Sequence, residues 1–112
     1  MSLDLYLQKN MDVGSDEPYV VELWDRNITH NITPMWRLAN VYDALYMSDG
    51  KMAKEVIDEV RIGLNDMRAH PKKYIELNPK NGWGDYKGAL QFLSAFKNAC
   101  TQYPLGVIRV SK

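Results

Sequence analysis

Along Ser2–Leu7 every second residue is leucine: Leu3, Leu5 and Leu7. A period of two puts all three on one side of an extended chain, so this segment predicts a strand with one buried face. Tyr19–Trp24 is β-branched and aromatic and predicts a second strand. Between them, Met11–Pro18 collects Gly, Ser, Asp, Glu and Pro, the composition of a loop, so the two strands are expected to form an antiparallel hairpin. After Pro34 the period changes. Met35, Leu38, Tyr42 and Leu45 recur at spacings of three and four. So do Ala53, Val56, Ile57, Val60, Leu64 and Met67, and then Ala89, Phe92, Leu93, Phe96, Cys100 and Tyr103. Each set lies along one face of a helix. Val107–Val110 reads as a short closing strand able to pair with the first. The order β-β-α-α-α-β predicts an α+β fold, a small antiparallel sheet with helices packed on one face.

Local signals set the expected boundaries. Thr33 is a candidate cap, and Pro34 suits the first turn of the first helix. Ser48-Asp49-Gly50 is a turn, and the second helix is expected over Lys51–Ala69, with Lys54, Asp58, Arg61 and Asp66 on its solvated face. Gly63 weakens that helix slightly. His70-Pro71 breaks it. Pro71–Leu77 reads as one or two helical turns with Tyr74, Ile75 and Leu77 inward, and Asn78–Gly84 as a loop. Asp85 can cap a third helix, Tyr86–Tyr103, which Pro104-Leu105-Gly106 stops.

The chain has 112 residues, which predicts a single domain over 1–112. Lys plus Arg and Asp plus Glu are equal at 14 each. A formal charge of zero gives no strong nucleic-acid signal, and it removes one barrier to a homo-oligomer. No apolar run reaches the length of a membrane span, and MSLDLYLQKN lacks the charged and apolar regions of a signal peptide. A lone cysteine, Cys100, fits a reducing compartment. A cytoplasmic location is therefore expected, which makes the two Asn-Ile-Thr glycosylation patterns at Asn27 and Asn31 coincidental.

Two polar stretches stand apart from this scheme: RNITHNITPMW at 26–36 and NPKNGWG at 78–84. If a helix starts near Thr29, Asn27, His30 and Asn31 fall at i, i+3 and i+4 on one face of its N-terminus. Free N–H groups there, with amide and imidazole side chains, would seat a phosphate, carboxylate or carbonyl. The competing reading is a set of caps and Asx-turns at a strand-to-helix corner. In the second stretch, Gly82 and Gly84 flank Trp83, and an Asn-rich loop carrying a Trp into a helix N-terminus suits a stacking platform. Its competing reading is an indole that plugs the core.

NITHN at 27–31, NGWG at 81–84, Tyr86, the terminal VIRVSK and the opening Leu3-Asp4-Leu5-Tyr6-Leu7 strand resemble an uncharacterised family of small bacterial and bacteriophage proteins. Thr33-Pro34-Met35-Trp36 departs from it, since the family runs on with residues friendlier to a continuous helix. The resemblance carries no settled activity. Its bacteriophage side implies a counter-defence protein acting in the host cytoplasm by sequestering a nucleotide immune signal.

Three functions follow as expectations. The first is a non-enzymatic module that binds a small polar, nucleotide-like ligand with Asn27, His30, Asn31, Asn81, Trp83 and Tyr86. The second is a protein–protein module that inhibits a host protein, with Trp24, Trp36, Met47 and Met52 as apolar anchors. The third is a small enzyme with His30 as general acid or base and Asp85 or Asp25 as its partner. The chain has no phosphate loop, GxGxxG, HExxH or paired CxxC, so no metal or cofactor is expected. Cys100 lies on the apolar face of a helix, where a buried small side chain is the simpler reading than a nucleophile.

Overall fold

The structure is a computed structural model that describes residues 2–17 and 19–112. Three strands, β1 (Ser2–Met11), β2 (Tyr19–Thr29) and β3 (Val107–Ser111), form one antiparallel sheet in the order β2-β1-β3. The helices are α1 (Thr33–Leu38), α2 (Tyr42–Tyr46), α3 (Ile57–Ala69), α4 (Pro71–Ile75) and α5 (Tyr86–Gln102). Single 3₁₀ turns cover His30–Ile32 and Ala53–Glu55. This is the small α+β arrangement that the two periods predict, with the first strand at the centre and the last beside it. No helix among the described residues is long and apolar enough to cross a membrane.

The leucine alternation sets which face of the sheet is covered. Leu3, Leu5 and Leu7 are fully buried, as is Ile108 on β3, opposite Leu7. They join the apolar faces of α3 (Val60, Leu64, Met67) and α5 (Phe92, Leu93, Phe96) in one core. Trp24, opposite Leu7 on β2, packs its indole on Phe96 at 5.6 Å and edge-on to Phe92 at 6.4 Å. The other face of the sheet carries Asp4, Tyr6 and Gln8, with Asn27, Asp25 and Glu22 opposite them on β2. A bulge between Leu7 and Gln8 leaves Leu23 as the extra residue of β2. Past Gln8 the third strand has ended, and β1 and β2 continue as a two-stranded arm on which Met11, Tyr19 and Val20 are exposed.

Several boundaries differ from the expected ones. Strand β2 runs five residues past Trp24, so Asn27, Ile28 and Thr29 are strand residues and not a helix entry. Strand β1 likewise runs on to Met11. The residue capping α1 is Ile32, while the Thr33 hydroxyl donates back to the His30 carbonyl at 2.5 Å. The first helical pattern splits into α1 and α2 because Asn40 adopts φ 58, a conformation that ends a helix. Leu38 is thereby exposed, whereas Trp36 is fully buried and unavailable as a surface anchor. The second helix begins at Ile57; ahead of it the Glu55 carboxylate accepts the Met52 N–H at 2.7 Å and caps a 3₁₀ turn. Ile75 is exposed, while its neighbour Tyr74 is fully buried.

Gly63 does more than weaken a helix. Helix α3 crosses the Ala39–Val41 turn so closely that a Cβ at Gly63 would lie 2.3 Å from Val41 Cγ1 and 2.9 Å from the Ala39 carbonyl oxygen. The obstacle includes backbone, so it cannot turn aside. Gly63→Ala gains about 1 kcal/mol of helix propensity and loses about 1–3 kcal/mol to overpacking. A lower urea midpoint is expected; a higher one means that the two segments separate at little cost.

Asp66 ties α3 to α4. Its carboxylate accepts the Tyr74 hydroxyl and lies 3.5 Å from Lys73 Nζ and 3.7 Å from His70 Nε2. The Tyr74 hydrogen bond holds this carboxyl below the ordinary carboxylate range; partial desolvation opposes it, and Lys73 and His70 add to it. A carboxyl lowered in the folded state stabilises the fold above its unfolded value, near pH 4, and that contribution disappears as pH falls through the lower folded value. Tyr74→Phe should flatten the acid limb of the stability profile below about pH 4. An unchanged slope would mean that the phenol does not set the carboxyl's affinity for protons.

Candidate functional site

The two polar stretches meet. Asn27 and Thr29 at the end of β2, Asn31 in the 3₁₀ turn, and Asn81 and Trp83 in the loop before α5 line one open hollow of about 520 Å³, with Ser2 completing the rim. The alternation of the strand explains the first part. Ser2 pairs with Thr29 and Asp4 with Asn27, so these side chains share the sheet face that the helices leave uncovered. The 3₁₀ turn then carries Asn31 to the same side, and its N–H donates to Thr29 Oγ1 at 3.3 Å.

Gly84 explains how the tryptophan loop arrives there. Its φ is +95°, and a Cβ on it would stand 2.7 Å from Thr29 Cγ2 and 2.9 Å from Ile32 Cγ2. The loop backbone lies directly on the corner, in a position only glycine permits. Asn81 shapes the turn, its Oδ1 accepting the Trp83 N–H at 3.0 Å. Asn78 and Asp85 fix the far end: Asn78 Oδ1 accepts the Tyr86 N–H at 2.8 Å, and Asp85 Oδ1 accepts the Gly88 N–H at 2.7 Å as the cap of α5. The outcome is an indole that is 70% exposed, which excludes the core-plug reading.

The hydrogen-bond inventory defines what the hollow offers. Asn27 Nδ2 donates to Ser2 Oγ at 2.9 Å and to Asp4 Oδ1 at 2.7 Å, so its NH₂ is occupied and its Oδ1 remains an acceptor. Asn81 has spent its oxygen on the loop and keeps its NH₂ as a donor. The Asn31 amide and the Trp83 indole N–H have no side-chain partner among the described residues. None of the lining residues is charged. The hollow is thus a neutral surface of amides and one flat aromatic, with separate donors and acceptors.

Two of the six expected site residues lie elsewhere. His30 turns into the fold, where its Nδ1 shares a proton with the Tyr46 hydroxyl at 2.8 Å and its ring lies 5.5 Å from that of Tyr46. Burial raises the Tyr46 phenol, so the hydroxyl stays protonated at neutral pH. Tyr46 in turn stacks on Tyr42 at 4.6 Å, and the Arg37 guanidinium caps that ring at 4.1 Å. Neither Asp25 nor Asp85 is the partner of His30: Asp25 lies on β2, and Asp85 is the cap. Tyr86 stacks on Tyr74 and donates its hydroxyl to the Met67 carbonyl at 2.5 Å, joining α5 to α3. Conversely, Ser2 and Thr29 line the hollow and carried no signal of their own; only a hairpin register that puts residue 2 opposite residue 29 could have singled them out.

Cys100 is buried on its helix face, as the sequence pattern predicts. Burial pushes the Cys100 thiol up to about 12. Among the described residues no three His, Cys, Asp or Glu side chains group as metal ligands. Compared with family models, with curated proteins and with solved structures, the chain matches none.

The corner can be tested by separating its two glycines. A Cβ at Gly82, φ +76°, meets open space, whereas one at Gly84 meets Thr29 and Ile32. Gly82→Ala should cost only the left-handed backbone penalty, about 1–2 kcal/mol. Gly84→Ala should cost about 1–3 kcal/mol more and move the Trp83 emission toward that of free indole in water. Equal losses in the two variants would show that the loop does not rest on the corner.

Proposed function

We propose that this chain is a non-enzymatic binding module for a small, planar, polar ligand of nucleobase type, held against Trp83 by the amides of Asn27, Asn31 and Asn81. One observation carries the reading: an exposed indole and three asparagines, drawn from two stretches about fifty residues apart, border the same hollow. A nucleobase matches it on both counts. Its π-face stacks on an indole, and its edge offers alternating donors and acceptors to amides. The absence of charge on the lining argues against a site built around phosphate. A nucleotide would therefore be held by its base, with its phosphates toward solvent. Sequestration of a nucleotide signal, the counter-defence role that the resemblance implies, is the cellular form of this reading and rests on the resemblance alone.

The enzyme reading loses its general acid or base: His30 is committed to Tyr46, and the Asp4 carboxylate beside Asn27 already accepts that residue's amide. The alternative of an inhibitory protein module loses Trp36 to the core and keeps Met47 and Met52 exposed.

Calorimetric titration with nucleosides, mononucleotides and cyclic nucleotides tests the proposal. At least one base should bind saturably, the nucleoside about as well as its nucleotide. Trp83→Ala should weaken binding by about 5- to 150-fold, the worth of one base–aromatic stack. No heat and no thermal shift across the panel, or binding unchanged in the Trp83 variant, would overturn it.

A further inference from the structure

The two edges of the sheet are treated differently. Outside β3, the Gly50 N–H donates to the Ile108 carbonyl at 2.8 Å, the Ile108 N–H to the Lys51 carbonyl at 2.8 Å, and the Ala53 N–H to the Gly106 carbonyl at 2.8 Å. The Asp49 carboxylate takes the Val110 N–H at 2.9 Å. That edge is closed. Strand β2 is the other edge, eleven residues long, and no described segment pairs with its outer side.

The backbone hydrogen bonds fix which of its groups are free. Ile108 directs its N–H and C=O away from β1, so its opposite, Leu7, directs its own toward β2. Alternation then bonds Trp24, Arg26 and Ile28 to β1 and leaves the N–H and C=O of Asp25 and Asn27 facing outward. Below this edge, on the helix side, α5 presents Leu90, Gln91, Ser94, Ala95 and Asn98, and Arg26 and Arg68 reach over them. Ser94 and Ala95 are small and leave depth beside the strand. Arg68 Nη2 donates to Ser94 Oγ at 3.3 Å. Neither guanidinium has a carboxylate within 4 Å among the described residues, and no Asp or Glu lines this hollow of about 560 Å³. Two uncompensated arginines thus stand next to unpaired backbone groups.

We infer that the β2 edge is a docking site for an extended acidic segment of a partner polypeptide, which adds as a fourth strand and directs carboxylates onto Arg26 and Arg68. Backbone pairing supplies the affinity and the arginines the selection. The opposite face of β2 sharpens the choice. Glu22 and Asp25 project there, close enough that Asp25 raises the Glu22 carboxyl, first by a shared hydrogen bond. An incoming strand therefore needs acids toward the helices and neutral or basic residues on its other face. That alternation excludes a polyanion such as nucleic acid. A second copy of β2 does not fit either: its helix-facing residues are Tyr19, Val21, Trp24, Arg26 and Ile28, and it brings no carboxylate to the two arginines.

The test uses the full chain, labelled for amide NMR, with the capped hexapeptide Lys-Glu-Thr-Glu-Lys-Val and its charge-inverted twin Glu-Lys-Thr-Lys-Glu-Val. The first should move the amides of Asp25 and Asn27 and those of Gln91 and Ser94 in a saturable way, at least tenfold more tightly than the twin. The exposed double variant Arg26→Gln/Arg68→Gln should lose at least that tenfold, while Trp83→Ala, which acts at the other hollow, should leave the peptide unaffected. Equal binding of both peptides, or none, would overturn the inference. So would movement by sodium phosphate at the arginine side with the β2 amides still, which marks a simple anion site. A double variant that self-associates without any change in peptide binding would also overturn it, since an inward charge on an edge strand can serve only to block such pairing.

Discussion

Everything about the surface of this protein depends on the burial of Leu3, Leu5 and Leu7. They lie on the central strand, and each is wholly removed from water, worth about 1.5–3 kcal/mol apiece. Because the side-chain period of a strand is two, a slip of one residue would turn all three out to solvent and bring Asp4 and Tyr6 in. The register is therefore fixed by the core. Once it is fixed, Ser2 must face Thr29, and Asp4 must face Asn27, on the side that no helix covers. The hollow proposed to bind a base is the reverse side of the hydrophobic stripe.

That link explains what the sequence disclosed and what it hid. Strong periods identified three elements that contribute large buried side chains, the leucine strand, the Val60–Leu64–Met67 face and the Phe92–Phe96 face, but not the burial of Trp36. The end of β2 was hidden because it is an edge strand with one open side. Asp25, Arg26 and Asn27 can be polar there at no cost, so their composition imitates a loop. Asn40 and Gly63 were hidden for a different reason, since their roles are set by a close crossing between α3 and a turn twenty residues earlier. Residue types marked the asparagine corner and the Trp83 loop separately but could not say that they meet; their meeting depends on Gly84, whose missing side chain lets the loop backbone touch Thr29 and Ile32. The fates of His30 and Tyr86 could not be read, because Tyr46 and the Met67 carbonyl become their neighbours only through folding.

The neutrality of the hollow also follows from this layout. Charged side chains near it are already engaged: Asp4 accepts from Asn27, and Asp85 caps α5. Each carboxylate keeps its charge, but one of its oxygens is directed to a donor within the protein and not into the hollow. What is left are amides whose remaining donors and acceptors are separated in space. Asn27 offers an oxygen because its nitrogen is held by Ser2 and Asp4, and Asn81 offers a nitrogen because its oxygen is held by the loop. Amide orientation is ambiguous in isolation; here the internal hydrogen bonds choose it. In the proposed function, such pre-set polarity is what would distinguish one base edge from another.

Strand β2 borders both proposed surfaces, and the bulge at Leu23 helps to separate them. Beyond the bulge, odd-numbered residues from Asp25 to Thr29 face the open side and even-numbered ones face the helices, so Asn27 and Arg26 are neighbours in sequence and lie on opposite faces of the sheet. A side chain can be changed on one face without reaching the other. The backbone is different. The N–H and C=O of Asn27 point along the sheet, outward at the free edge, while its side chain is pinned to Ser2 and Asp4. A strand added at this edge would stiffen the segment that carries Asn27 and Thr29, and rigidity gained at one site lowers the ordering cost of binding at the other. The coupling expected between base and peptide is therefore positive, it travels through one stretch of backbone, and it is reciprocal in magnitude.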